Sequence, residues 1–337
     1  MKNLVSSDDL DRAIINGGSK AKRDVVNFLK KENFTSLPIK RFKFKNIINW
    51  PNVFFKASKY LKKEKPEILL LQYPMDFFVL KKFLLTAKKS SDALVIVLVH
   101  DIESVRYEHY LKLQDELKIF NAVDGLIVLN SKMNVWLKKH GVVVPMVNLE
   151  IWDYDNSNCF SEFSRYKRSI CFAGSLDKSV FLNNINLKHK MYVFGTNPRH
   201  DYPECIEYMG SYSAEILPAH LNYNFGLVWD GTSVETCDGL MGEYLKINNP
   251  HKTSLYLSSG IPVIIWARAA LADFVLKNKI GLTINSLSEL DEKIDSISEL
   301  EYENMHQNAV NIGKRMRDGY YIKKAVSQYT PAILRFK

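Results

Sequence analysis

Short apolar runs recur along the 337-residue chain, spaced widely enough for a helix to fit between most neighbours. They are Ile68–Leu71, Leu94–Val99, Leu126–Leu129, Ser169–Phe172, Met191–Phe194, Phe225–Trp229 and Pro262–Trp266. Each is continuous rather than alternating, which is the pattern of a parallel strand buried on both faces. Helical segments fill intervals at Ala21–Lys31, Met133–Lys139 and Ala269–Lys277. Strands alternating with helices predict an α/β fold on parallel sheets. The alternation pauses over Val147–Lys167, a polar and aromatic stretch, and a domain boundary is placed there. The expected division is residues 1–150, residues 168–319 and a terminal helix over 320–337. That helix carries Ile322, Ala325, Val326 and Tyr329 on one side and is expected to pack back on the first domain. At about 150 residues per domain, a chain of this length makes two.

Composition is ordinary for a globular protein, 46% apolar and 25% charged, which excludes disorder or coiled coil as the main architecture. No apolar run approaches the ~20 residues of a membrane span. The N-terminus turns acidic at Asp8-Asp9 before an apolar signal core develops, so a cytoplasmic location is expected. Cys159, Cys171, Cys205 and Cys237 lie far apart without CxxC spacing, which argues against zinc and against a disulfide framework.

Charge is uneven. Eighteen Lys and Arg stand against five Asp and Glu between Lys20 and Ser90, so this segment exceeds the net +9 of the whole chain and the remainder is net acidic. An anionic partner is expected there. No nucleic-acid recognition motif accompanies the lysines, so nucleic acid is not that partner. The segment Lys40-Arg41-Phe42-Lys43-Phe44-Lys45, followed by Trp50, Phe54, Phe55, Lys56, Lys59, Tyr60, Lys62 and Lys63, interleaves bases with large aromatics. That composition suits reversible docking on an anionic membrane face. The alternative is a solvated lysine face whose aromatics turn into the core.

Candidate chemistry gathers at strand ends and helix starts. Asn16-Gly17-Gly18-Ser19-Lys20 precedes a helix, and Gly18 there lets a ligand approach the backbone. His100-Asp101 ends the strongest strand of the first half. Asp101 suits a general base with His100 holding a hydroxyl, or else only a cap on the helix that follows. Gly174-Ser175-Leu176-Asp177-Lys178 makes a small-residue turn with a lysine beyond it, suited to phosphate. The densest cluster contains Trp229-Asp230-Gly231, Lys246 and Asn249-Pro250-His251-Lys252-Thr253-Ser254. The last of these reads as a helix start that aims Lys252 and free N–H groups at a diphosphate.

The stretch Phe225–Leu282 resembles the bacterial β-1,6-galactofuranosyltransferases of O-antigen synthesis. The strings Ser233-Val234-Glu235-Thr236-Cys237, Tyr244-Leu245-Lys246 and Asn248-Asn249-Pro250-His251-Lys252-Thr253-Ser254-Leu255-Tyr256-Leu257 carry the likeness. More distantly the chain resembles the glucosyltransferases acting on GlcNAc of serine-rich streptococcal adhesins. There the match narrows to Phe225–Trp229, Lys252 and Gly260-Ile261-Pro262-Val263-Ile264. The resemblance implies a GT-B fold: two Rossmann-like domains with a crevice between them, the UDP-sugar in the C-terminal domain, the acceptor in the N-terminal one, and no essential metal or cofactor.

It further implies Tyr212 against the uridine, Lys178 and Lys252 at the diphosphate and Asp230 near the donor sugar. Gly18, Gly174, Ser175, Trp229, Lys246, Asn249, His251 and Ser254 complete the expected donor site. The stretch Gly231–Gly242 is shared with the galactofuranosyl group and differs in the adhesin group, which favours UDP-galactofuranose over UDP-glucose. The expected acceptor is a lipid-linked glycan at the inner membrane face. The other readings are a glucosyltransferase and a non-catalytic GT-B-like partner subunit, and a homo-oligomer stays open.

Overall fold

The computed structural model describes residues 3–7, 17–38, 50–75, 77–107, 111–161 and 166–329. Asp8-Asp9, Asn16, Lys40–Lys45 and Glu108 lie outside them. The chain divides into two units. One comprises Met1–Ala13, Lys22–Leu149 and Ile322–Lys337; the other comprises Ile14–Ala21 and Glu150–Tyr321.

The first unit contains β1 (Asn3–Ser7), α1 (Gly17–Lys30, whose first residues count with the second unit), β2 (Phe34–Pro38), α2 (Trp50–Glu64), β3 (Ile68–Tyr73), α3 (Phe77–Ser90), β4 (Leu94–Val99), α4 (Glu103–Arg106), α5 (Leu113–Phe120), β5 (Gly125–Val128), α6 (Ser131–Lys139) and β6 (Met146–Asn148). Its sheet runs β2-β1-β3-β4-β5-β6 with every pair parallel. Every residue of β3 and β4 is buried, as their unbroken apolar runs require. β1 sits between β2 and β3 yet ends in two serines. Ser6 Oγ accepts the Gln72 backbone N–H at 2.8 Å, and the Ser36 hydroxyl donates to Ser7 Oγ at 2.8 Å. Buried hydroxyls with partners cost little, so the strand tolerates them.

The second unit contains β7 (Ile170–Ala173), β8 (Met191–Phe194), β9 (Ile206–Tyr208), β10 (Phe225–Val228), α7 (Gly239–Leu245), α8 (His251–Ser258), β11 (Val263–Trp266), α9 (Ala272–Asn278), β12 (Gly281–Ile284), α10 (Leu290–Asp295) and α11 (Glu299–Arg317). The last helix, α12 (Tyr320–Ser327), runs from this unit back into the first. Just beyond it, the Tyr329 hydroxyl donates to the Leu126 carbonyl at 2.6 Å. The second sheet is also wholly parallel, in the order β9-β8-β7-β10-β11-β12. Its first strand therefore lies beside its fourth, and the connections reverse direction between β7 and β10. Ligands of open parallel sheets bind outside the carboxyl ends at such a reversal.

All seven expected strands form. The helix expected from Ala269 starts at Ala272 instead, because residues 267–271 form a turn in which the Ala270 N–H bonds to the Leu245 carbonyl at 2.9 Å. No helix among the described residues is long and apolar enough to cross a membrane.

Candidate functional site at the carboxyl ends of β7 and β10

The Tyr256 side chain ties α8 to both strands of the β7–β10 junction. A Cβ on Gly226 would fall 2.2 Å from the Tyr256 ring, so glycine in β10 is what admits that ring. The Tyr256 oxygen then accepts the Ala173 N–H at 2.7 Å, at the end of β7. Burial pushes the Tyr256 phenol well above its ordinary pKa of 10, keeping it neutral. At the other end of α8, the Arg317 guanidinium lies 3.6 Å from the centre of the Phe160 ring and donates to the Ser258 carbonyl at 2.5 and 2.8 Å. Asn249 Nδ2 donates to the Glu150 carbonyl at 3.1 Å and Ser254 Oγ to the Trp152 carbonyl at 2.9 Å. These two buried side chains hold the 150–152 backbone. The N-cap, Pro250, offers no side-chain acceptor to the first turn of α8, where the Thr253 N–H turns back to the Pro250 carbonyl at 3.0 Å; a helix start without a side-chain cap suits an anion.

Lys252 projects from that first turn. Its Nζ lies 2.9 Å from Asp230 Oδ1, 3.1 Å from the Trp229 carbonyl and 4.5 Å from the centre of the Phe172 ring. A Cβ on Gly174 would stand 3.9 Å from the same nitrogen. The structure thus brings Lys252, Asp230, Trp229 and Gly174 to one point, where β7 and β10 end. Trp229 contributes its carbonyl, because its indole is buried and donates to the Ser233 carbonyl at 3.0 Å.

The loop after Asp230 folds around Asp238. Gly231 takes a φ of 112°, which brings its backbone against the Asp238 side chain. The Asp238 carboxylate accepts Thr232 N–H (2.5 Å), Thr232 Oγ1 (2.8 Å) and Ser233 N–H (3.2 Å). Desolvation pushes this carboxyl up, but the three donors outweigh it and hold it below the usual range. Lys246 is committed elsewhere, to both Glu243 oxygens at 2.5 and 2.7 Å.

His251 lies with its ring 4.9 Å from that of Tyr154, and its buried Nε2 has no hydrogen-bond partner among the described residues. Burial, and then the charge of Lys20, push its pKa down to about 3, so it is neutral at physiological pH. Lys20 itself donates to the Asp155 carbonyl at 2.7 Å and sits 4.4 Å from the centre of the Tyr154 ring. After β7, Ser175 Oγ donates to Asp177 at 2.5 Å, while Lys178 is exposed. Tyr212 stacks on His220 at 3.8 Å and stays exposed. Gly18 is exposed in the first turn of α1.

In the first unit, His100 is buried and its Nε2 meets Gln72 Oε1 at 3.0 Å. The Gln72 amide nitrogen donates to the Ser6 and Lys22 carbonyls, so its oxygen is the acceptor and His100 Nε2 carries the proton. Asp101 pairs with Arg106. It is not the cap of α4. The N-cap position is Ile102, without a side-chain bond, and the fully buried Glu116 of α5 takes the free donors. Glu116 accepts Glu103 N–H at 2.7 Å, Ser104 N–H at 3.0 Å and the Tyr73 hydroxyl at 2.6 Å. Sequence reasoning missed Glu116 and Gln72. The available signal was a glutamate on the buried face of α5, beside Ile119 and Phe120. Burial first, then the Glu116 and Asp101 carboxylates, push Glu103 up to about 6. Among the described residues no group of three or more His, Cys, Asp or Glu side chains could hold a metal ion.

Residues 10–151 match the family described as glucosyltransferase 3-like, N-terminal domain, and residues 170–329 match glucosyltransferase 3-like, C-terminal domain. The beta-1,6-galactofuranosyltransferase WbbI of Escherichia coli (strain K12) is 32% identical over 272 residues, 79% of each chain. Glucosyltransferase 3 of Streptococcus gordonii is 24% identical over 241 residues, 71% of each chain. Among solved structures, sucrose-phosphate synthase from Thermosynechococcus elongatus shares the fold with a TM-score of 0.66 over the whole of both chains, at 12% identity. Two parallel six-stranded sheets, the two family matches in order and the identity to WbbI across most of its length agree: the chain belongs to the glucosyltransferase 3-like glycosyltransferases of GT-B fold.

Proposed function

We propose that this glycosyltransferase moves galactofuranose from UDP-galactofuranose to a hydroxyl of a lipid-linked glycan, in surface-polysaccharide synthesis of the O-antigen type. The reaction inverts the anomeric centre and needs no metal. One observation carries the donor half: Lys252 stands with Gly174 and Asp230 at the β7–β10 reversal, beside a helix start without a side-chain cap. A departing UDP must be neutralised, and fixed cations with helix N–H groups do this where no divalent ion does. In this reading Lys252 and Lys178 meet the diphosphate. Tyr212, backed by His220, stacks on the uridine, and Asp230 with the Asp238-organised loop meets the sugar. An α-linked donor giving a β product requires one displacement and one base, drawn from the carboxylates at the end of β4. The basic first unit docks the protein reversibly on the inner face of the cell membrane, where the acceptor lies.

Galactofuranose as donor sugar is supported by the identity to WbbI, and glucose is the second reading, supported by the match to glucosyltransferase 3. Incubation of the purified chain with each UDP-sugar, EDTA and an octyl glycoside, with mass detection of product, separates them. Product from UDP-galactofuranose is expected. Product from UDP-glucose alone would establish the second reading, and donor binding without turnover would point to a non-catalytic subunit.

A further inference from the structure

Three carboxylates converge where β4 ends: Asp101, Glu103 and Glu116. Their surroundings divide them. Asp101 is held in an ion pair by Arg106. Glu116 is wholly buried and accepts three hydrogen bonds, two from the first turn of α4 and one from Tyr73. Glu103 is half-buried, and among the described residues no ion pair or hydrogen bond engages its carboxylate. Its position is nevertheless fixed, because Glu116 holds its backbone N–H. A base must reach its substrate, accept a proton readily and have a lone pair to spare. Glu116 cannot reach out, and Asp101 is already neutralised.

We infer that Glu103 is the general base of the transfer, with Asp101 and Glu116 as positioning residues. The assignment rests on the transferase reading. In the step, the acceptor hydroxyl gives its proton to a Glu103 oxygen as its own oxygen forms a bond to the anomeric carbon. The bond from that carbon to the diphosphate oxygen breaks, and UDP leaves with the electron pair. Glu103 ends protonated and returns its proton to water.

The groups facing Glu103 support this role. Glu116 on α5 and Asp101 after β4 make its proton harder to lose, Lys22 on α1 and Arg106 on α4 make it easier, and burial tips the balance upward. The result, about 6, is a stronger proton acceptor than an ordinary carboxylate and is still ionised at neutral pH.

The test is a pH–rate profile of the full chain with UDP-galactofuranose or UDP-glucose and octyl galactoside or octyl glucoside. It compares wild type, Glu103→Gln and Asp101→Asn, with UDP affinity measured in parallel as the check on folding. We expect wild-type kcat/KM to rise with pH through about 6. Glu103→Gln should lose about a hundredfold or more in kcat, with UDP affinity unchanged and that rise gone. Asp101→Asn should keep the rise. A Glu103→Gln variant with near wild-type kcat would overturn the assignment alone. So would a rise that disappears in Asp101→Asn but persists in Glu103→Gln. A wild-type chain inert with both donors would overturn the transferase reading, and the assignment with it.

Discussion

The Lys252 ammonium lies 2.9 Å from Asp230 Oδ1, with the Trp229 carbonyl as its next partner. Both side chains are largely screened from solvent, and both stand at the sheet end where connections reverse. Without an anion, Asp230 is the counter-ion of Lys252. A diphosphate arriving at the start of α8 would share or take over that cation. Lys252→Ala should therefore lower kcat about a hundredfold, equivalent to about 3 kcal/mol of transition-state stabilisation. The stability loss should stay near 1 kcal/mol, because the partner it abandons can be hydrated. Steady-state kinetics paired with thermal melts test this. Near-normal kcat would remove Lys252 from the diphosphate.

The Gly226–Tyr256 contact makes a separate prediction about stability. Gly226→Ala places a Cβ inside the Tyr256 ring envelope, so the ring and α8 must move. Overpacking of this kind costs about 1–3 kcal/mol. Tyr256→Phe leaves space unchanged but removes the acceptor of the Ala173 N–H, which costs about 1–3 kcal/mol for a buried unpaired donor. Denaturant midpoints measure both losses. UDP affinity should fall more in Gly226→Ala, because that change displaces the start of α8. Equal UDP binding in both variants would show that α8 does not set the donor site.

How far the sequence could be read follows from what each residue depends on. β3, β4 and β5 were legible because strands buried on both faces are apolar at every position. β1, β2, β6, β9 and β12 were missed, three of them for reasons visible in the structure. β6 and β9 have three residues each, and β1 hides two buried serines whose partners lie on other strands. In the site, the strand end Asp230 and the helix start at His251 were visible as local punctuation. The bonds that decide each residue's freedom were not. Asp101 is claimed by Arg106 and Lys246 by Glu243, both from within one or two helical turns. Glu116, Gln72 and Tyr256 act on partners brought close only by the tertiary fold.

The raised pKa of Glu103 predicts a pH-dependent stability as well as a rate profile. A carboxyl whose folded pKa is about 6, against an unfolded value near 4.5, favours the folded state while it is protonated. That contribution is complete below about pH 4.5 and is lost as pH rises through about 6. The shift corresponds to about 2 kcal/mol at most, and partial exposure reduces it to about 1 kcal/mol. Glu103→Gln should thus be about 1 kcal/mol more stable than wild type at pH 7.5 and no more stable at pH 4. Urea unfolding at the two pH values measures the difference. A variant equally or less stable at pH 7.5 would show that the carboxylate carries no such strain.

The proposed membrane docking yields a further prediction from the basic first unit. On α2, Phe55 is 69% exposed, and Lys59, Lys62 and Lys63 face solvent. At least one aromatic of this segment therefore does not turn into the core. An exposed aromatic ring beside lysines suits the headgroup layer, and each lysine near an anionic surface adds about 1 kcal/mol. The segment Lys40-Arg41-Phe42-Lys43-Phe44-Lys45 lies just before α2 in the chain and adds four more bases. The protein should float with vesicles containing anionic lipid and remain behind with neutral ones. Binding should weaken as salt rises, since exposed charges are screened over about 10 Å at 0.1 M. Changing Lys40, Arg41, Lys43 and Lys45 to Glu should lower vesicle binding about a hundredfold or more, with UDP affinity unaltered. Equal recovery on neutral and anionic vesicles would assign the basic face to another task.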